Sequence, residues 1–415
     1  MKIYLVGGAV RDKLLNRSIH EKDYVVVGAT VDDMLAQGFK PVGKDFPVFL
    51  HPKTHEEYAL ARTEKKVSKG YTGFEFHAHP DVSLVEDLKR RDLTINAMAL
   101  SISPENSQSN EIIDPFNGQK DLKNKIIRHV SPAFSEDPVR ILRVARFMAR
   151  FKHLGFSIAP ETLKLMGHMV VAGEVDALVP ERVWQELHKA LQEQSPEAFF
   201  QSLRDCGALE KLFPEMNHLF GVPSKAKYHP EIDSGIHTLM VLQQAAILSK
   251  DPEIRFAAAV HDLGKAITPM NQWPSHKGHE IKSIPLVKAL CKRFKVPKSF
   301  TRIALITAQY HDLVHKALEI RASTVLDLLE KTDAFRRPKA FEKMLIASEA
   351  DSKGRLGFEA IDYPQKEFLL KALACAKTVD VKSLIAQGYE QEALIEQIRQ
   401  QRIKLIKKVQ QLNLG

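Results

Sequence analysis

The chain has 415 residues, more than one ordinary hydrophobic core accommodates, so about two to four structural units are expected. Hydrophobic residues make up 44% and charged residues 27% of the chain, as is typical of globular proteins. No apolar run approaches the ~18 residues that a membrane span needs, and the N-terminus lacks the pattern of a secretion signal. Composition therefore argues against a membrane protein and predicts a cytoplasmic location.

The cysteines and the net charge narrow the class of protein further. Cys206, Cys291 and Cys375 are scattered and odd in number, which suits a reducing compartment and argues against a disulfide framework or a thiolate zinc site. The formal net charge of +9 is compatible with a polyanionic partner, although charge alone is weak evidence.

The first 100 or so residues alternate short β-type runs with turns, in the runs "KIYLVGG", "DYVVVGA", "PVFLH", "EYALART" and "LTINAMAL". Helix signals follow Gly8 and Thr30, and Thr30 is a predicted N-cap. The segment "RTEKKVSKGYTGF" (62–74), rich in Lys and Gly, is expected to be a mobile basic loop. These patterns predict a small mixed α/β domain.

From Asp121 onward, strand signals almost disappear and helical periodicity dominates. Proline and glycine within 220–235 mark a second boundary, and a histidine-rich helical unit follows it to about residue 335. The chain closes with a basic amphipathic helix. The fold class is therefore predicted as α+β, with an N-terminal sheet domain and an all-α remainder.

Two glycines stand between the first strand and the first helix, in "LVGGAVRD". Gly7 and Gly8 would let the backbone approach a ligand closely, and the helix N-terminus offers N–H groups to an anion. Arg11 adds a guanidinium suited to phosphate. The alternative is a plain strand–turn–helix connection, which glycines alone would not exclude.

Two acidic residues, Glu21 and Asp23, precede the second strand. Alternate residues of a strand face the same side, so the two carboxylates would repel each other unless a cation lies between them. Together with a phosphate site in the same domain, they suggest Mg²⁺ bridging the protein and a nucleoside triphosphate. The alternative is a solvated strand edge.

Four motifs in this order resemble those of bacterial class II CCA-adding enzymes, which are tRNA nucleotidyltransferases of the polymerase β-like superfamily. They are "GGAVRD" (7–12), "EKDYVVVG" (21–28), "RRDLTINAMA" (90–99) and "EDPVRILRVARF" (136–147). The similarity covers nearly the whole chain and is greatest to the members that carry an HD phosphohydrolase domain. It implies a polymerase β-like head at 1–147, a helical neck at 148–228, an HD domain at 229–335 and a helical tail at 336–415.

The resemblance implies a function and a set of site residues for the head. The activity is template-independent addition and repair of the 3′-terminal CCA of tRNA with CTP and ATP, by a monomer or homodimer. Glu21 and Asp23 would be catalytic and hold Mg²⁺, and Arg91 with Asp92 would bind the sugar of the nucleotide. The family usually has Asp at the position of Glu21, whose extra methylene would shift the metal slightly.

The helix beginning in "EDPVRILRVAR" offers a way to select bases. Asp137 and Arg140 lie three residues apart, so on a helix they could present one edge that both accepts and donates hydrogen bonds. Cytosine and adenine match this edge, whereas uracil and guanine present the reversed pattern and would leave polar groups unpaired. Arg143 and Arg146 would hold the triphosphate. The alternative is a solvated arginine face.

The histidine-rich region resembles the HD hydrolase superfamily. His237, His261 and Asp262 are the expected metal ligands, with Asp351 as the fourth and Asp312 as the alternative. Such a donor set suits a divalent transition metal, and the resemblance implies Ni²⁺ and the activities 2′,3′-cyclic phosphodiesterase, 2′-nucleotidase and phosphatase. His276 and His315 are expected to be structural.

Two other functions fit part of the sequence. A poly(A) polymerase with the same head fold would add only ATP, to many RNAs. A catalytically inactive RNA-binding or nucleotide-sensing protein would keep the basic surface and tolerate loss of the acidic pair. The C-terminal helix lies along the tRNA backbone or is a solvated face, and the sequence does not separate these two interpretations.

Overall fold

The computed structural model describes residues 1–19, 21–42, 48–66, 74–77, 79–102, 111–225 and 231–413. Two compact units divide the chain: residues 1–186 with 205–211, and residues 187–204 with 212–415. Most of the predicted basic loop, residues 67–73, and the predicted boundary at 228–229 lie outside the described residues.

The first unit is built on a mixed sheet. Its seven strands lie in the order β3-β4-β5-β2-β1-β8-β9, and two further pairs, β6 with β7 and β10 with β11, form small separate sheets. The strands are β1 Lys2–Val6, β2 Asp23–Val27, β3 Lys40–Val42, β4 Val48–Leu50, β5 Glu57–Leu60, β6 Thr63–Lys66, β7 Phe74–His77, β8 Ala99–Ser101, β9 Ile112–Ile113, β10 Ile126–Ile127 and β11 Ser157–Ile158.

The register of the two central strands brings the glycine turn to the acidic pair. Strand β1 runs antiparallel to β2 and pairs Val6 with Asp23. Gly7 follows β1 directly, so the turn and the first residue of β2 lie at the same end of the sheet. Branched apolar residues such as Val6 and Val25 are buried beneath this end and anchor both strands.

Helices, in chain order, are α1 Gly8–Leu14, α2 Val31–Ala36, α3 Leu84–Lys89, α4 Gly118–Asn124, α5 Val139–Phe151, α6 Pro160–Val171, α7 Pro180–Leu191, α8 Glu197–Asp205, α9 Ala208–Leu212, α10 Pro214–Asn217, α11 Ser234–Leu248, α12 Pro252–Val260, α13 His279–Arg293, α14 Lys298–His315, α15 Ala322–Lys331, α16 Pro338–Lys353, α17 Pro364–Ala376, α18 Val381–Ala386 and α19 Gln391–Asn413. Among the described residues, every helix is too short or too polar to traverse a bilayer.

Local sequence signals explain several helix starts. The hydroxyl of Thr30 accepts a hydrogen bond from the Asp33 N–H, and the Asp33 carboxylate accepts one from the Thr30 N–H, which forms a capping box at the start of α2. Asp233 caps α11 by accepting hydrogen bonds from the N–H groups of Gly235 and Ile236. The helix predicted after Thr30 is thus confirmed.

Two local expectations need correction. The predicted loop 62–74 is not loop at its two ends, because Thr63–Lys66 form β6, which pairs antiparallel with β7 (Phe74–His77), with Thr63 opposite His77. The run "LTINAMAL" is not one strand: Thr94–Asn96 form a 3₁₀ turn, and β8 begins only at Ala99. Tertiary hydrogen bonds made by Thr94 and Asn96 to distant side chains outweigh the β propensity of this run.

Candidate active sites

The glycine turn between β1 and α1 is closed from above by an arginine. Gly7 has φ of 69°, and a Cβ at this position would lie 3.0 Å from Nη1 of Arg91. Any L side chain would therefore be strained in its backbone and crowded by the guanidinium. The turn brings bare backbone and Arg91 together, as a phosphate-binding site requires.

Asp23 is the better placed of the two predicted catalytic acids. It is the first residue of β2, whereas Glu21 lies just before the strand, so strand alternation fixes only Asp23. Asp23 reaches solvent, yet surrounding protein desolvates its carboxyl group and raises its pKa, with Arg91 opposing and Glu21 adding to this effect. Lys22, between the two acids, pairs with Glu56 at 3.3 Å.

A chain of hydrogen bonds joins Arg11 to Arg143 beneath this turn. Arg11 donates from Nη1 to Asn96 Oδ1 (2.5 Å), and Asn96 donates from Nδ2 to Asp92 Oδ1 (3.2 Å). Arg143 donates from Nε to Asp92 Oδ2 at 2.6 Å. Asp92 therefore reaches both the glycine helix and α5, and Asn96 is a link that sequence reasoning missed although it lies within the "RRDLTINAMA" motif.

The charge of Asp92 is strongly stabilised. Burial alone would raise the pKa of this carboxyl group, but Arg143 and the Asn96 amide outweigh burial and lower the pKa to about 2. The carboxylate is thus ionised throughout the physiological range. It can accept hydrogen bonds but cannot donate them.

Arg91 carries an unused donor at the site. Its Nη2 donates to the buried Asp87 at 3.2 Å, while its Nε is buried and has no hydrogen-bond partner in the described part of the chain. Arg90 binds the same carboxylate, and Arg90 and Arg91 together outweigh burial and lower the pKa of Asp87. Asp87 orients Arg91, and sequence reasoning did not identify it.

The structure does not join Asp137 and Arg140 into one edge. Arg140 is buried and donates to the main-chain carbonyls of Ala133 (2.8 Å) and Arg90 (2.9 Å). Asp137 accepts from the Val139 N–H at 3.0 Å and so caps the start of α5. For Arg140 to face a base, its guanidinium would have to leave these carbonyls.

The other positively charged residues of the head site also have protein partners. Arg11 is buried, binds Asp12 at 2.9 Å, and lies 5.2 Å from the ring centre of Phe151. Arg146 pairs with the buried Glu186 at 2.6 Å. Arg143 is the more exposed of the two arginines predicted to hold triphosphate. Gly8 is the first residue of α1, immediately after the turn.

In the second unit, the predicted metal ligands come together at helix ends. His237 is near the start of α11, His261 and Asp262 follow α12, and Asp351 is near the end of α16. His237 Nε2 lies 2.9 Å from Asp351 Oδ1, and His261 Nε2 lies 3.6 Å from the same oxygen. Asp262 Oδ2 is 3.2 Å from His261 Nε2 and 2.6 Å from Lys265 Nζ.

Hydrogen bonds to the other ring nitrogen fix the tautomers of these histidines. Nδ1 of His261 faces the Ala258 carbonyl at 2.8 Å, and Nδ1 of His237 faces the Gly354 carbonyl at 3.1 Å. A carbonyl only accepts, so Nδ1 donates its proton there, and Nε2 is the nitrogen that can bind either a second proton or a metal ion. This is the arrangement of a metal-binding imidazole.

The donor set fits a divalent transition metal ion. His261 Nε2 and Asp262 Oδ1 are buried and find no hydrogen-bond partner among the described residues, and these two residues are only 1% and 2% exposed. Burial would lower the pKa of His261, but Asp262 and Asp351 raise it to about 10. A site that holds a proton this strongly is electrostatically prepared for a metal cation. Imidazole nitrogens and carboxylate oxygens are the ligands such ions prefer.

Two further histidines differ from this pattern. His315 binds Asp351 Oδ2 through Nε2 at 2.7 Å and the Tyr363 hydroxyl through Nδ1 at 2.8 Å, so both ring nitrogens are used. His276 contacts the Thr268 hydroxyl and the Pro223 carbonyl. The expectation that they are structural remains a prediction, although His315 lies directly against Asp351.

A cavity of about 680 Å³ opens beside this cluster. His279, Asp312 and His315 line it on the side of the cluster. The remaining wall carries two carboxylates, Glu280 and Glu319, and a larger number of positively charged residues: Lys225, Lys265, Lys277, Lys316 and Arg355. An anionic ligand such as a phosphate ester matches this lining.

Comparison with protein-family models identifies three segments of the chain. "Poly A polymerase head domain" matches residues 3–128, and "Probable RNA and SrmB- binding site of polymerase A" matches residues 155–220. "HD domain" matches residues 235–337.

Curated relatives extend over the full length. The multifunctional CCA protein of Thioalkalivibrio sulfidiphilus is 58% identical and covers 99% of this chain and 98% of its own. That of Nitrosococcus oceani is also 58% identical, over 98% of both chains. The chain belongs to the multifunctional CCA protein family. It is a CCA-adding nucleotidyltransferase that also carries an HD domain.

Solved structures of CCA-adding enzymes share the fold of this chain. An apo form superimposes with a TM-score of 0.65 at 22% identity, covering 99% of this chain and 88% of the other. The Thermotoga maritima CCA-adding enzyme complexed with tRNA gives a TM-score of 0.64 at 20% identity, covering 100% and 92%. The predicted α+β fold, with a nucleotidyltransferase head and a helical remainder, is confirmed.

Proposed function

We propose that the head adds cytidine and adenosine to the 3′ end of tRNA, with CTP and ATP as substrates and pyrophosphate as the leaving group. The observation that carries this proposal is the register of Val6 with Asp23, which sets a carboxylate beside a bare glycine turn and the free Nε–H of Arg91. The relatives' names and the neighbours solved with ATP, CTP or tRNA support the same substrates.

In this proposal each residue of the head has a distinct task. Asp23 and Glu21 hold Mg²⁺, which supplies charge neutralisation at the α-phosphate. Gly7, Gly8 and Arg11 form the phosphate side, while Arg91 and Asp92 hold the sugar. Asp92 stays ionised and can accept a hydrogen bond from the ribose 2′-hydroxyl, which favours NTP over dNTP.

Base choice is assigned to α5. Asp137 and Arg140 act as the pairing edge once Arg140 exchanges the carbonyls of Ala133 and Arg90 for a base, and Arg143 and Arg146 hold the triphosphate. A nucleotide that binds would have to supply the contacts that these side chains give up, which selects for ligands carrying several phosphate oxygens.

The test is incorporation of labelled nucleotides into tRNA that lacks its 3′ end. CTP followed by ATP should give products ending in CCA, and UTP or GTP should give none. A long adenosine tail would support the poly(A) polymerase instead, and no incorporation would support an inactive nucleotide-binding protein. Whole-chain similarity to multifunctional CCA proteins favours the first outcome over the second.

We further propose that the HD unit hydrolyses phosphate esters, including 2′,3′-cyclic phosphates, 2′-nucleotides and phosphomonoesters. His237, His261, Asp262 and Asp351 would hold a divalent ion such as Ni²⁺, which supplies an activated water. The buried, unpartnered atoms of His261 and Asp262 and the basic wall of the cavity support this activity. Lys265 orients Asp262 and adds positive charge where a phosphate would enter.

The two activities should separate by mutation. Asp23→Asn is expected to abolish nucleotide addition and leave hydrolysis of 2′,3′-cyclic phosphate intact, whereas Asp262→Asn is expected to do the reverse. Loss of both activities in a folded single variant would contradict two independent sites. We also propose that the chain divides into four parts, at residues 147, 228 and 335. A cytoplasmic location is proposed because free cysteines are stable in a reducing compartment.

A further inference from the structure

Arg355 is the first residue after Gly354, the C-cap of α16, and its neighbours on both sides are tied to His237. The Gly354 carbonyl faces His237 Nδ1 at 3.1 Å. The Leu356 N–H donates to Glu231 Oε2 at 3.3 Å, and Glu231 Oε1 lies 3.0 Å from His237 Nδ1. The backbone that carries Arg355 is therefore fixed against a proposed metal ligand.

Close packing of the end of α16 against α11 holds the same backbone from below. A Cβ at Gly354 would lie 2.5 Å from Cγ2, 2.6 Å from Cα and 2.7 Å from the main-chain nitrogen of Val241. Only a residue without a Cβ fits at this distance from another main chain. Asp351, another proposed ligand, lies in the last turn of the same helix. The fold thus determines where Arg355 lies relative to the ligands.

The guanidinium of Arg355 has no counter-charge within the described part of the chain. Its Nε is buried, and neither a hydrogen-bond acceptor nor an ion-pair partner for the side chain is found among the described residues. Arginine stays protonated in proteins, and a buried N–H group without an acceptor is unfavourable. Arg255, a buried arginine of the same unit, donates instead to four main-chain carbonyls. This contrast indicates that the partner of Arg355 is a ligand.

Arg355 lines the cavity beside the proposed metal ligands, together with Lys277 and Lys316. Neither lysine forms an ion pair with a residue that the structure describes. Five positive and three negative side chains line this cavity, the negative ones being Glu280, Asp312 and Glu319. A guanidinium presents a planar fork that can bind two oxygens of one phosphate, whereas a lysine adds a single point of charge. Arg355 is therefore the lining residue best suited to hold a phosphate in a fixed orientation.

We propose that Arg355 binds the phosphate group that the HD unit hydrolyses, with two N–H groups donating to two of its non-bridging oxygens. The inference rests on the proposed hydrolase function for the identity of the substrate. A phosphomonoester such as a 2′-nucleotide offers three such oxygens and a charge of about −1.5 to −2, whereas a 2′,3′-cyclic phosphate offers two oxygens and a single negative charge. Arg355 therefore contributes more to the binding of phosphomonoesters than to that of cyclic phosphates.

Binding of inorganic phosphate tests the contact without catalysis. The full chain carrying Arg91→Gln, which weakens the phosphate side of the head, is loaded with Co²⁺, desalted and dialysed against radiolabelled phosphate. Arg355→Gln should raise the Kd for phosphate by roughly 10- to 100-fold, as expected for the loss of charge-assisted hydrogen bonds. Arg355→Lys should recover part of this loss, because it restores the charge but not the fork. Arg336→Gln, which alters an arginine of the same unit whose side chain is 75% exposed, should leave the Kd unchanged.

Steady-state hydrolysis tests the preference between substrates. Arg355→Gln should raise the KM for a 2′-nucleotide by the same factor as the Kd for phosphate, and the KM for a 2′,3′-cyclic nucleotide by less. The kcat should change little, because a contact that is equally strong before and during the reaction affects KM alone. Equal increases in KM for the two substrates would contradict recognition by charge.

The two measurements also separate this proposal from the hydrolase function. An unchanged Kd for phosphate and an unchanged KM, in Arg355→Gln that is folded by circular dichroism and in a parent that hydrolyses both esters, would overturn the role of Arg355 alone. A parent that binds phosphate through Arg355 but hydrolyses neither ester would overturn the hydrolase function and leave the phosphate contact standing.

Discussion

Gly7 is the residue at which backbone conformation and ligand contact coincide most closely. Its positive φ and the 3.0 Å approach of Arg91 act on the same position. Gly28 also has a positive φ, of 73°, but a Cβ at this position would have no heavy atom within 4 Å. The pair therefore separates backbone strain from the contact with Arg91.

We expect Gly7→Ala and Gly28→Ala both to destabilise the head, by at least about 1 kcal/mol, because both positions have a positive φ. Gly7→Ala should cost more, because its ψ of −130° lies outside the left-handed helical region that L residues can adopt. Only Gly7→Ala should also lower kcat/KM for nucleotide addition, by 10-fold or more, since it displaces Arg91. Thermal unfolding and steady-state incorporation of CTP measure the two effects. Equal loss of activity in both variants would show that the contact between position 7 and Arg91 does not contribute to nucleotide addition.

Asp92 gives a prediction about pH. Its pKa is lowered to about 2 in the folded protein, below the ordinary value of 3.8, so the folded state favours the ionised form. This contributes about 2 kcal/mol of stability above pH 4, and the contribution is lost as the pH falls from 4 to 2. The melting temperature of Asp92→Asn should lie below that of the parent at pH 5.5, and the gap should narrow at pH 3. A gap that does not change with pH would rule out this ion pair as its cause.

At the scale of elements, local signals determined what the sequence could predict. The N-cap at Thr30 and the strand–glycine–helix order are encoded within a few residues, and both were predicted; the capping box that Asp33 completes was found only in the structure. The bond between Arg143 and Asp92 spans 51 positions and the one between His237 and Asp351 spans 114, so no periodicity reports them. Asn96 and Arg355 were assigned no role because their neighbours in space become visible only in the folded chain.

The turn after α12 depends on close packing against α13. A Cβ on Gly264 would lie 2.0 Å from the His279 carbonyl oxygen and 2.6 Å from the Ser283 nitrogen, both of them backbone atoms. We expect Gly264→Ala to push α13 away and to reduce cyclic-phosphate hydrolysis at least 10-fold, with nucleotide addition unchanged. Gly167→Ala, whose Cβ would come no closer than 3.9 Å to the Cys206 carbonyl, should affect neither activity. Full hydrolysis by Gly264→Ala would show that this packing is not needed.

Helix α5 gives a prediction about specificity. Asp137→Ala removes the accepting half of the proposed base edge and the cap on the Val139 N–H. Discrimination of CTP against UTP should fall by about 1–3 kcal/mol, or roughly 5- to 150-fold, while the KM for triphosphate changes less. Glu136→Gln, the neighbouring carboxylate, is the control. An unchanged CTP-to-UTP ratio in Asp137→Ala would refute base selection by this side chain.

At the scale of the whole molecule, the net charge of +9 predicts salt-sensitive binding of tRNA. Helix α19 contributes three exposed lysines, Lys404, Lys407 and Lys408, while Arg399 on the same helix pairs with Asp327 and with Glu330. If the lysines follow the tRNA backbone, replacing all three with Gln should reduce the slope of log Kd against log salt by about 0.7–0.9 for each lost phosphate contact. An unchanged slope would assign this face to solvent.

The proposed ligand atoms of the HD unit come from the start of α11, the residues after α12 and the end of α16, segments that lie up to 114 positions apart in sequence. Occupancy by a cation would cross-link these three segments through a volume of a few atoms. The helices of this unit would then melt together rather than one at a time, and chelation would loosen the entire bundle. Resistance of the HD unit to proteolysis would therefore increase with the fraction of chains that hold metal.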